Sequence, residues 1–231
     1  MSFHVPPLAA GAVVVGAGAL IGLGNGIIVT RLKINPIITT IGTMYILSGL
    51  AFVYTKGKTI YGDAITPINF IASGRFLGVS APILIMFFLY IVFHLVLRHT
   101  SFGARIFATG NNEKASWLAG ISVSRVKQNA FMLAGALAAF AGIMQVARQG
   151  SAAGGMGEDF LFPVLTAVVL GGTSLSGGKG KIVNTLIASV FLMTIQNGMI
   201  LMSIDIYIQK IIQGSILIIA LSLDRLRTAK A

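Results

Sequence analysis

Long apolar runs without charge limit this chain to few folds. Leu8 to Thr30 contains no charged residue and is long enough to cross a bilayer. Pro36 to Thr55, Val79 to Leu97, Ala130 to Ala147, Ile182 to Met202 and Ile206 to Leu223 follow the same rule, with Lys210 near the outer end of the last, where its amine can snorkel. A seventh stretch, Phe160 to Gly172, is shorter and ends in glycines. At about 1.5 Å per residue, twenty helical residues match a hydrocarbon core of about 30 Å. Backbone amides cannot be left unpaired in lipid, so such runs form helices. The expected fold is an all-α membrane protein. It is a polytopic transmembrane helix bundle of about seven spans over residues 1–231, one domain, with a short helix in the loop 98–127.

Composition supports this class. Hydrophobic residues make up 55% of the 231 and charged residues only 10%, where a soluble domain carries about a quarter. The net charge of +11 does not indicate a nucleic-acid partner, because the basic residues sit at the ends of apolar runs and form no recognition stripe. In a membrane protein the same excess marks cytoplasmic loops and contacts with anionic membrane lipids. The absence of cysteine excludes disulfides, thiol chemistry and Cys-ligated metals. His4, His94 and His99 are too scattered for a metal site. The opening MSFHVPP lacks the basic region of a signal peptide.

Charge sets the expected topology. If Phe160–Gly172 crosses, Arg31, Lys33, Arg98, Arg105, Lys114, Arg125, Lys127, Lys179, Lys181, Arg225, Arg227 and Lys230 all lie inside. Only Lys56, Lys58, Arg75, Arg148 and Lys210 remain outside. If it is re-entrant, the basic tail falls outside. Crossing satisfies the positive-inside tendency better, which places the N-terminus outside and the C-terminus in the cytoplasm. An odd number of spans beginning outside leads us to expect a chain lacking an N-terminal part. The loop from Lys56 to Gly78, with Asp63, Pro67 and Arg75, is expected to form a short outer surface element without catalytic residues.

The stretch from Ser101 to Lys127 is the one strongly charged insert. Asn111 or Asn112 can cap a helix starting at Glu113, whose carboxylate suits the positive end of the helix dipole. Ala115, Trp117, Leu118 and Ala119 follow, and Gly120 ends the helix. Two readings stand side by side: an interfacial helix anchored by Trp117, or a docking helix for a cytoplasmic partner.

Gly18, Gly22 and Gly26 recur every four residues and permit close helix packing; Ala138 and Gly142 with Gly135 suggest a second stripe of this kind. The run Gly171 to Gly180 fails the phosphate-loop pattern, since Gly180 stands where a hydroxyl residue is required. Its glycines instead suit a tight turn and close backbone approach. Asn25, Thr39, Thr40, Thr43, Gln145, Gln196 and Asn197 are neutral polar residues inside spans. They serve either interhelical hydrogen bonds or a pathway for a polar solute. No span interior holds a carboxylate, which argues against an ion-coupled carrier. No catalytic set of residues is present, and no enzyme activity is expected.

Several of these segments resemble one family. Ser101-Phe-Gly-Ala-Arg105, Ala108-Thr-Gly-Asn-Asn-Glu-Lys-Ala115 and Leu118-Ala-Gly-Ile-Ser-Val123 resemble the cytoplasmic loop of sugar-type ABC importer permeases. These are the ribose, xylose, arabinose and galactoside permeases, related to the branched-chain amino acid permeases. Ala167-Val-Val-Leu-Gly-Gly-Thr-Ser-Leu-Ser-Gly-Gly-Lys-Gly180 is similar to that family's AVVLGGTSLSGGRG, and Asn35-Pro-Ile-Ile-Thr-Thr-Ile-Gly-Thr-Met44 to its PFIATLGTM. Asn197-Gly198 matches a pair in its penultimate helix.

The resemblance implies a membrane-spanning permease subunit in a bacterial inner membrane, translocating a monosaccharide or similar polar solute. It implies a separate cytoplasmic ATPase that uses ATP, a second permease copy, identical or not, and a periplasmic or surface solute-binding protein. This chain itself would bind no cofactor. Asn112, Glu113, Ala115, Leu118 and Gly120 would form the coupling surface, and Thr43, Gln145, Gln196 and Asn197 would line the pathway. The family's upstream Gly-Gly-Ile-Asp-Leu-Ser-Val-Gly segment is not present, so the expectation is the C-terminal two-thirds of such a permease. An inactive fragment and an ion-coupled carrier are the alternatives.

Overall fold

The computed structural model describes residues 6–61, 74–76 and 78–229. Asp63, Pro67, His4 and Lys230 lie outside them. Among the described residues there are nine α-helices and two short strand pairs, grouped in two compact units.

The first unit comprises residues 1–88 and 122–157. Its helices are α1 (Pro7–Leu32), α2 (Pro36–Thr55) and α6 (Val123–Gln149), and it holds the start of α3 (Ala81–His99). Pro7 opens α1, where its missing N–H costs nothing. Asn35 caps α2 by accepting a 2.9 Å hydrogen bond from Ile37 N, with Pro36 in the first turn. Lys33 and Lys56 end these helices in the left-handed region, at φ of 54° and 53°. Strand β1 (Ile60–Tyr61) pairs antiparallel with β4 (Ser151–Ala152). Strand β2 (Arg75–Phe76) pairs with β3 (Val79–Ser80), so Arg75 of the expected surface element lies in a tight hairpin.

The first stripe of glycines is where α1 meets α6. A Cβ on Gly22 would stand 3.2 Å from Gly135 Cα and closer still to Phe131 O; one on Gly26 would stand 2.8 Å from Gln128 Cα. Gly18 sits against Gly135 and Ala139. The pairing is antiparallel, and bare backbone lets the helices approach where lipid supplies no hydrophobic drive. Gln128 Nε2 donates 2.9 Å to Thr30 Oγ1 at one end of the pair. The second stripe is corrected. Gly135 packs with Ala139, whereas Ala138 and Gly142 are exposed and Gly142 faces open space. Residues 135, 138, 139 and 142 follow one face of the helix, but α1 touches that face only at Gly135 and Ala139, and nothing lies within 4 Å of a Cβ on Gly142.

The second unit comprises residues 89–121 and 158–231. It contains the end of α3, then α4 (Ser101–Asn111), α5 (Glu113–Leu118), α7 (Leu161–Leu170), α8 (Ile182–Leu201) and α9 (Ile206–Ala229). Helix α7 runs antiparallel to α8, with Gly171 against Thr185. It runs parallel to α9, with Asp159 beside Lys210.

Among the described residues, five helices are long and apolar enough to cross a membrane: Ala9–Leu32, Pro36–Thr55, Ala81–His99, Val123–Gln149 and Ile182–Leu201. Their outward residues are apolar. On α3, Ile83, Leu84, Phe87 and Phe88 are all exposed, a pattern suited to hydrocarbon. The apolar part of α9, Ile206–Ser222, is shorter. The stretch expected to cross at 160–172 forms a helix of 10 residues, about 15 Å long and half of a hydrocarbon core. A 3₁₀ turn at Glu158–Phe160 leads into it. Helix α7 nevertheless connects opposite ends of its unit, from the Asp159–Lys210 pair to the loop beside Gly110.

Candidate functional site

The loop after α3 turns sharply. Thr100 Oγ1 donates to Val96 O at 2.6 Å and accepts from Gly103 N at 3.3 Å. Gly103 is buried, and a Cβ there would lie 2.6 Å from Leu97 Cα, so only glycine fits this corner. Helix α4 follows to Asn111.

Asn112 then breaks the chain out of helix, at φ −154° and ψ 104°, and its Oδ1 accepts from Ala115 N at 2.9 Å. Of the two asparagines that could cap α5, Asn112 does so. Glu113 opens the helix at the positive end of its dipole. At the far end Gly120 adopts φ +80°. Gly120 N donates to Trp117 O at 3.0 Å and Ile121 N to Ser116 O at 2.9 Å, the paired bonds of a Schellman cap. A six-residue helix is too short to persist on propensity; these caps at both ends define it.

Ser116 is buried and anchors α5, while Glu113, Ala115, Leu118 and Gly120 are exposed. Trp117 and Leu118 are 68% and 71% exposed. The arrangement is a rigid, short, amphipathic projection with Lys114, Trp117 and Leu118 outward. Arg98, Arg105, Lys114, Lys179 and Lys181 lie at this end of the second unit. Glu158, Asp159, Asp205 and Lys210 lie at the other. In the first unit, Arg31, Lys33, Arg125 and Lys127 gather at the Thr30–Gln128 end, and Lys56, Lys58 and Arg148 at the opposite end. In the second unit the positive charge thus concentrates at the end that carries α5.

The polar residues inside the helices fall in separate places. Thr43 Oγ1 donates to Asn25 Oδ1 at 2.6 Å and so joins α2 to α1. Thr39 and Thr40 turn their hydroxyls back onto Asn35 O and Pro36 O. Gln145 is half-buried on α6 and makes no hydrogen bond among the described residues. Gln196 lines a cavity of about 20 Å³ between α7, α8 and α9, room for about one water. Thr166 and Gln213 line it as well. Asn197, one residue on, is exposed on another face of α8. Thr43 and Gln145 therefore belong to the first unit, and Gln196 and Asn197 to the second.

Gln213 escaped the sequence reading. Its signal was present: Gln209 and Gln213 stand four apart in an apolar run, so both lie on one helix face. Gln209 is committed, donating to Ile204 O at 2.8 Å. The amides of Gln196 and Gln213 have no hydrogen-bond partner among the described residues. Those residues hold no cluster of three or more potential metal ligands.

The family described as branched-chain amino acid transport system / permease component matches residues 2–221. The ribose import permease protein RbsC of Bacillus subtilis (strain 168) is 41% identical over 207 residues, 89% of this chain and 64% of that relative. The protein of the same name in Escherichia coli (strain K12) is 37% identical over 227 residues, 97% of this chain and 71% of the relative. The L-arabinose transport system permease protein AraH of Escherichia coli (strain K12) is 38% identical over 203 residues, 87% of this chain and 61% of the relative. The chain thus spans roughly two thirds of the length of these curated relatives. No solved structure matches.

Proposed function

The chain belongs to the branched-chain amino acid transport system / permease component family, and from that premise we propose that it is the membrane-spanning permease subunit of an ATP-binding cassette importer. Its cargo is a monosaccharide or a similar polar solute, in keeping with relatives named for ribose and arabinose. It sits in the bacterial inner membrane as a single permease domain. The positive-inside tendency puts the loop 98–127 in the cytoplasm, with the N-terminus outside and the C-terminus inside.

The observation that carries this reading is α5. A helix of six residues, capped by Asn112 and closed at Gly120, presents Trp117 and Leu118 to water at a basic end. Apolar side chains held outward on a pre-ordered element suit a protein partner, because little ordering entropy remains to be lost on docking. The partner is a cytoplasmic ATPase. Asn112 and Gly120 set the shape of the contact, and Glu113, Ala115 and Leu118 form its surface. ATP is consumed by that ATPase, and this chain binds no cofactor. A second permease copy completes the pathway, and a solute-binding protein delivers cargo at the outer face.

Transport then follows two-state coupling. Movement of the ATPase biases the permease between inward- and outward-open arrangements, and each state must differ in its contacts with the ATPase for this to work. Neutral donors and acceptors at Thr43, Gln145, Gln196 and Asn197 suit a hydroxylated solute.

The test is capture of the neighbouring-gene ATPase by the detergent-solubilised chain. The wild type should retain it, and the double variant Glu113→Ala, Gly120→Trp should not. Equal capture by both moves the docking surface elsewhere. No capture by a folded wild type leaves an inactive fragment or a carrier.

A further inference from the structure

The end of α4 and the α7–α8 connection meet backbone against backbone. A Cβ on Gly177 would stand 2.8 Å from Gly110 O, and one on Gly178 would stand 2.8 Å from Asn111 Cα. A Cβ on Gly110 would stand 3.1 Å from Gly178 Cα. No side chain separates the two segments. Gly177 and Gly178 reach this position in the left-handed region, at φ 93° and 74°. The loop is braced from within, with Ser174 N donating to Lys179 O at 3.0 Å and Gly177 N to Ser174 O at 3.1 Å.

Both sides of this contact lead onward. Asn111 immediately precedes Asn112, the cap of α5. On the other side Gly171 presses on α8, where a Cβ would stand 2.7 Å from Thr185 Cα. Helices α7 and α8 in turn wall the cavity that holds Gln196. An unbroken series of close contacts thus runs from α5 to the polar cavity, all within one unit.

We propose that Gly110, Gly177 and Gly178 form the positioning joint that carries movement of α5 into α7 and α8. The inference rests on the importer reading. It adds a route through the fold to the direct chain connections of α5 with its flanking helices. A contact between side chains can absorb a displacement by changing rotamer. Two backbones in contact have no rotamer to change, and close-packed interiors pass strain on. Thr109, next to the joint, is 4% exposed, and its Oγ1 has no hydrogen-bond partner among the described residues. A buried hydroxyl without an acceptor costs free energy, which leaves this segment room to gain a bond on shifting.

The test needs no knowledge of the solute. The chain has no cysteine, so Met193→Cys places a single thiol on the wall of the α8 cavity. The rate of maleimide labelling is measured with the ATPase bound, before and after trapping with ATP and vanadate. Trapping should change the rate roughly fivefold or more, in the range of ordinary coupling energies. Adding Gly110→Ala should abolish the change while ATPase capture persists. Gly49→Ala, at a helical glycine with open space around it, should leave the change intact. Should Gly110→Ala fail to fold, Asn111→Gly loosens the same contact without adding an atom and should also reduce the change. A full response in the joint variants, or no response in the Met193→Cys parent with ATPase bound, overturns the joint. Failure of the wild type to capture any ATPase removes the importer reading itself, and the joint with it.

Discussion

Thr43 and Asn25 tie α2 to α1 through one hydrogen bond of 2.6 Å, with Thr39 O at 3.0 Å as a second acceptor for the same hydroxyl. Such bonds between membrane helices contribute about 0.6 kcal/mol on average. Thr43→Val should lower the unfolding temperature in detergent slightly, and Thr43→Ser should restore it. A large loss of uptake in Thr43→Val with little change in stability would assign Thr43 to the pathway rather than to packing.

Gly22 has no room for a side chain against Phe131 and Gly135. Gly22→Leu should force α1 from α6 and abolish the monodisperse peak in size-exclusion chromatography. Gly142→Ala, with nothing within 4 Å, should elute as the wild type does. Loss of the peak in both would show that small residues matter here for a reason other than the α1–α6 contact.

The caps of α5 make separable contributions. Asn112→Ala removes the 2.9 Å bond to Ala115 N and should cost about 1 kcal/mol. Gly120→Ala places a Cβ at φ +80°, with a cost of about 1–2 kcal/mol. If ordering of α5 limits docking, ATPase affinity should fall roughly fivefold or more for either variant. Unchanged affinity would mean that the partner holds α5 in shape by itself.

Thr109→Val replaces a buried hydroxyl without a partner by a group of the same shape. Its stability should equal or exceed the wild type, since no bond is lost and a desolvated oxygen is removed. A marked drop in unfolding temperature would reveal an acceptor for Thr109 that this arrangement does not contain.

Lys210 Nζ lies 3.9 Å from Asp159 Oδ1, and the two side chains are 67% and 91% exposed. Exposed pairs of this length contribute little. Lys210→Ala should therefore leave the unfolding temperature unchanged at low and at physiological salt. A salt-dependent loss would mark the pair as a real clasp between α9 and the turn that opens α7.

The candidate coupling element was legible because its determinants are local. Asn112, Glu113 and Gly120 act through the backbone of their own turn, and their spacing is visible in one dimension. The polar residues of the helices were legible as a set but not in their arrangement. Gln196 and Asn197 are adjacent in the chain, yet a step of about 100° around α8 sends one to the cavity and leaves the other exposed. Gln213 joins Gln196 only because α7, α8 and α9 pack as they do.

The amino-acid sequence by itself determined the membrane class, the approximate places of the apolar helices, and both ends of α5. The helix at Ser101–Asn111 and the start of α6 at Val123, seven residues before the expected Ala130, emerge only in the fold. Hydropathy, capping and charge are properties of short segments, so they survive without the fold. Tertiary structure alone decided which glycines pack. Gly22 and Gly142 are both helical glycines in apolar runs, but only Gly22 faces another helix. It also decided the length of α7, where a stretch of 13 residues from Phe160 to Gly172 yields a helix of 10. It decided as well that Gly178 meets Asn111. Contacts between residues far apart in the chain depend on how helices are placed in three dimensions, and local composition does not encode that placement.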